Sequence, residues 1–141
     1  MLSVRQNWFR AASVAAVMWL VSMSASAAGL DGSSNLICAA TDVVACTERW
    51  GCTLGQAKNF DLPEFVVIDV EAQVVRGTKH SRVEEVSPVK VMEVTGGHLI
   101  LQGVENGRGW GISVHGETGN MAASLIGDAL SFLVHGACTP I

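Results

Sequence analysis

"LQGVENGRGWGISVHGETGN" (residues 101–120) holds six glycines, and four of them, Gly103, Gly107, Gly109 and Gly111, crowd around Arg108 and Trp110. Glycine serves both close approach to a phosphate and tight chain reversal, so the stretch reads as a ligand loop or as a hairpin. Register separates the two. If Asn106-Gly107 is a two-residue type I′ turn, residues placed symmetrically about it face one another. Leu101 then faces Ile112, Leu99 faces Val114, and Gly103 faces Trp110, its missing side chain making room for the indole. The opposite face carries Gln102 against Gly111, Ile100 against Ser113 and His98 against His115, with Glu105 meeting Arg108 beside the turn. One face is apolar and the other wet, and a slip of one residue would destroy the sorting. The stretch is a hairpin. A dinucleotide loop is excluded, because no helix follows to receive a pyrophosphate.

The same pattern extends on both sides. A turn at Gly96-Gly97 places Val94 opposite Leu99 and Met92 opposite Leu101, on the apolar face. "GETG" (116–119) as a four-residue loop sets Met121, Ala123 and Leu125 against Val114, Ile112 and Trp110, and Leu130, Phe132 and Val134 alternate inward on the last strand. Upstream, "FVVIDV" (65–70) and "QVVRG" (73–77) are further β-prone runs. "CAATDVVAC" (38–46) reads as a strand on Val43 and Val44, although its alanines and the preceding "SSN" also suit a helix start. The expected fold is all-β, an antiparallel meander of about eight or nine strands closing into a small barrel. Inward Met92, Leu99, Leu101, Trp110, Ile112, Met121, Leu125 and Phe132 are expected to fill that barrel and leave little cavity.

Residues 1–28 read as a secretory signal peptide. Arg5 and Arg10 form a basic start, residues 11–23 run 13 positions without a charge, and "SASAA" offers small residues for cleavage near Ala27 or Ala28. Thirteen residues fall short of the roughly 20 that a membrane-spanning helix needs. Removing that 28-residue leader from 141 leaves 113 residues, so 29–141 is a single domain in a periplasmic or secreted protein. Without Arg5 and Arg10, seven basic residues face thirteen acidic ones, a net charge of −6. No basic patch survives, which argues against nucleic acid, or a membrane surface after cleavage, as a partner.

The four cysteines Cys38, Cys46, Cys52 and Cys138 read as two disulfides in an exported chain. Cys38 and Cys46 are eight residues apart with no Gly or Pro between them, roughly 26 Å as strand or roughly 12 Å as helix. Either exceeds the limit of about 7 Å on Cα separation. Cys46–Cys52 across "TERWG" and Cys38–Cys138 joining the chain ends is the expected pairing. A zinc site is the alternative, and the lack of a C-x-x-C pair weighs against it.

Catalytic signatures fail on context. "GISVHG" (111–116) resembles a nucleophile elbow, but His115 stands where glycine is required and Ser113 is mid-strand. His115-Gly116-Glu117 lacks the P-C-x-x-C of zinc deaminases. Glu84 and Glu85 would point to opposite faces of a strand and make no acid/base pair. No cofactor is implied. His98 and His115, opposite one another, are the weak metal candidates, because a metal site needs at least a third ligand. Arg49 and Trp50, held in the Cys46–Cys52 ring, are the candidate partner-docking residues; the competing reading folds Trp50 back as a lid over the barrel mouth.

"LQGVENGRGW", the spaced cysteines of the first part of the domain and the "GACT" ending resemble a group of small, functionally uncharacterised exported proteins of Gram-negative bacteria. That resemblance covers most of 29–141 and implies export without adding a catalytic residue. The expected function is a non-enzymatic protein-interaction or inhibitor-like module with an unidentified protein partner. The alternatives are a lipocalin-like carrier of a small ligand and, behind it, a metal-binding protein using His98 and His115.

Overall fold

A computed structural model describes residues 29–78 and 86–141. The leader (1–28) and the Glu84/Glu85 pair lie outside the described residues. Nine strands follow in order: β1 (Leu36–Thr47), β2 (Gly51–Gly55), β3 (Phe65–Asp69), β4 (Val74–Gly77), β5 (Val86–Thr95), β6 (His98–Glu105), β7 (Arg108–His115), β8 (Asn120–Ile126) and β9 (Leu130–Pro140). A single 3₁₀ turn, Ala57–Phe60, lies between β2 and β3. Strands β3 to β9 pair consecutively and antiparallel, and β1 joins β3 on one edge and β9 on the other. Eight strands thus close into a barrel, and β2 is the ninth, hung on the outer half of β1.

The central hairpin has the expected register throughout, from Glu105↔Arg108 to His98↔His115. Asn106 and Gly107 both have positive φ, 47° and 77°, as a type I′ turn demands. Gly107→Val places a β-branched side chain in that left-handed conformation with no neighbour within 4 Å to blame for the cost. A loss of about 1–2 kcal/mol in urea unfolding is expected from backbone strain alone.

Two bulges shape the barrel. In β1 the ladder to β9 skips Thr41 between Ala40 and Asp42, and Thr41 Oγ1 donates to the His135 carbonyl at 3.1 Å. The extra residue switches the inward positions from Leu36 and Cys38 to Val43 and Ala45, which keeps apolar side chains inside along the whole strand. In β5 the skipped residue is Lys90, opposite Gly103. The core divides accordingly, one cluster around Leu36, Ile68, Leu99, Leu101 and Val114, the other around Val43, Ala45, Ala57 and Phe132.

The ends are stoppered differently. At one end the turn at 29–34 inserts Leu30, 2% exposed, and Asp31 Oδ1 accepts from the Ser33 N–H and hydroxyl. Those bonds hold the Asp31 carboxyl below its ordinary value. At the other end the 3₁₀ turn packs Phe60 on Phe132, ring centroids 6.0 Å apart. Val94 and Leu130, expected on the buried face, are 55% and 39% exposed. They keep the inward phase but sit at strand ends, where no facing wall remains to cover them. The outward positions mix polar residues, among them Gln102, Ser113, Ser124 and His135, with exposed apolar ones, Val91, Val104, Ile126 and Leu133.

Candidate functional site

Both disulfides form as expected, Cys38–Cys138 across the β1–β9 seam and Cys46–Cys52 between β1 and β2. The second turns β1 and β2 into a clamped arm. Its tip is Glu48-Arg49-Trp50, tied down where the Trp50 N–H donates to Thr47 Oγ1 at 3.0 Å, and reversed at Gly51 with φ 72°. Trp50 is 82% exposed and covers nothing. The lid reading fails. The barrel end is covered instead by the segment 57–63, whose Ala57 is buried and whose Leu62 and Pro63 line the interior. "QAKNF" (56–60) signals that plug, since Gln56 and Asn59 cap the 3₁₀ turn reciprocally while Ala57 and Phe60 face inward. Sequence reasoning missed it.

The arm also presents a sheet edge. Cys46 and Cys52 are directly opposed with Cα atoms 4.0 Å apart, the close spacing of a non-hydrogen-bonded pair. The backbone N–H and C=O of Cys52 therefore point away from β1, and so do those of Leu54, the next pair of that type. Strand order ends at β2, so this edge has no second neighbour among the described residues. The strand "GCTLG" carries no charge and no proline, and Leu54 is 69% exposed. Such an edge lacks the usual devices that discourage a further strand, apart from its shortness.

His98 and His115 face each other as expected, rings edge-to-face with centroids 4.8 Å apart. Each Nδ1 is engaged by nearby backbone. His98 Nδ1 lies 3.0 Å from the Gly96 carbonyl, which only accepts, so that nitrogen carries the hydrogen. His115 Nδ1 accepts from the N–H groups of Glu117 and Thr118, at 3.2 and 3.3 Å. Ligating a metal through Nε2 of His115 would move its proton to Nδ1, directly against two donors. His115 is a turn cap. Ser113 is paired across the ladder with Ile100 and Ala122, neither of which is a base.

The interior departs from expectation. Two adjacent, partly open cavities of about 140 and 160 Å³ enter the barrel interior and share Val66, Val75, Ile112, Ala123 and Val134 in their walls. The large residues of β6 and β7 fill only their own half. Across from them β1 presents Cys38 and Ala40, and beside β7 the neighbouring β8 presents Ala123, small side chains that leave the space between the walls unfilled. Glu64 lines the first cavity and Ser87 and Glu105 the second, with the Ser87 hydroxyl donating to Glu105 Oε2. No protein-family model matches the chain, and none of the curated proteins or solved structures compared with it does.

Proposed function

We propose that this is an exported, non-enzymatic interaction module that docks a protein partner through the β1–β2 arm. The observation that carries the reading is Trp50, 82% exposed at the tip of a disulfide-clamped hairpin. A large aromatic ring held in water gains on binding, and the clamp lowers the entropy lost when the arm engages. Arg49 stands beside it, and Trp and Arg are the residue types that most often dominate interfaces. The free edge supplies the second half of the recognition. An extended partner segment adds as a strand to the N–H and C=O groups of Cys52 and Leu54, with Leu54 and Trp50 reading its side chains. Two disulfides suit an oxidising compartment outside the cytoplasm, and an inhibitor-like role fits such an arm.

Trp50→Ala leaves the melting temperature within a degree or two of wild type, because truncating an exposed side chain removes no packing. The decisive measurement is amide hydrogen exchange with a partner purified from the exported fraction on the wild-type protein. Protection confined to residues 50–55, and loss of binding in Trp50→Ala, support the proposal. Protection elsewhere on the barrel, or unchanged binding by Trp50→Ala, overturns it.

A further inference from the structure

The geometry points to a second, separate site: the barrel lumen takes a compact, uncharged apolar molecule of one or two rings. It stands independently of the Trp50 tip and the β2 edge, which lie outside the eight-stranded wall. An eight-stranded barrel is normally just filled by its own side chains. This one is not, because Cys38, Ala40 and Ala123 face inward together where bulky residues would be needed. Each cavity, at about 140 and 160 Å³, is close to the size of an engineered apolar cavity of about 150 Å³ that accepts benzene. The two meet at Ile112, Ala123 and Val134, so a two-ring hydrocarbon would span them.

Charge sets the ligand class. The first cavity is lined almost wholly by apolar side chains, with Glu64 exposed at its edge, and in the second Glu105 is engaged by the Ser87 hydroxyl. Arg76, also in the second wall, is already paired with Asp69. A fatty acid or other carboxylate would therefore lose its hydration with no unpaired basic group in the lining to offset the cost, whereas a neutral ring carries no such penalty. Entry is by way of the 57–63 plug over the barrel end, a single 3₁₀ turn and the residues after it, tethered to β1 just beyond by the Ala40 N–H to Glu64 carbonyl bond of 2.9 Å.

The test is thermal unfolding and calorimetric titration of the disulfide-intact domain with benzene, naphthalene and decanoate. Benzene and naphthalene raise the melting temperature and titrate to one saturable site, and decanoate does neither. Ala123→Leu, which fills the shared wall, loses the naphthalene shift while unfolding no earlier than wild type. Should that variant fail to fold, Ala40→Val fills the first cavity and loses it instead. No shift with either ring compound in the wild type overturns the inference, as does a shift of equal size in a folded filling variant. Binding of decanoate as tight as that of naphthalene overturns the ligand class.

Discussion

Replacing Cys38 and Cys138 together by alanine is expected to lower stability by about 4–5 kcal/mol, the largest effect of any substitution considered for this chain. Their bond closes a sequence separation of 100 residues, and loop-closure entropy rises with the logarithm of loop length. It also lies on the seam where β1 meets β9, the one strand pairing that closes the barrel. The matched control is Cys46→Ala with Cys52→Ala. That bond closes a separation of only 6, and the same relation gives about 2 kcal/mol. Urea unfolding of the two double variants separates them. An equal or larger loss from the short loop would show that the seam is held by its ladder and packing, with the long disulfide incidental. The arm variant should keep the barrel's cooperative transition and lose rigidity only in residues 46–52.

Gly103→Val is expected to cost about 3 kcal/mol, the upper part of the range for overpacking a core. A Cβ at Gly103 would overlap Trp110 Cζ2 and Cε2 and stand 2.6 Å from the Pro88 carbonyl oxygen. The Pro88 carbonyl cannot step aside, because it is backbone of β5 just ahead of the bulge at Lys90. Gly109, one residue before Trp110, has no positive φ, and a Cβ added there would meet nothing within 4 Å. Gly109→Val therefore stays within about 0.5 kcal/mol of wild type. Thermal unfolding of the pair gives the answer directly, and equal effects would mean that the indole is not seated on Gly103.

Much of this molecule is written locally. Asn106-Gly107 and Gly96-Gly97 admit the left-handed φ values of tight hairpins, and with alternating side chains they determine the register of β5, β6 and β7 without reference to the rest of the chain. The cysteine pairing is legible for a similar reason, because chain geometry alone forbids Cys38 from reaching Cys46. Period-two alternation says which face a residue takes. It does not say what stands across from that face.

Every departure from the sequence-based expectations turns on that second question. Val94 and Leu130 have the inward phase, but only the closed barrel shows that nothing faces them at the strand ends. A count of large residues on β5 to β9 predicts a full lumen. Whether they meet an opposing wall depends on Ala40 and Cys38, brought across by closure of β1 onto β9. Trp50 is a lid or a docking residue on sequence grounds, and its exposure is decided by Phe60 and Leu62, which occupy the barrel end first. Local sequence determined turns, register and disulfides, because those are set by backbone sterics and short-range reach. Cavity, plug and free edge were decided by tertiary structure, because each is a relation between segments that touch only after the sheet has closed.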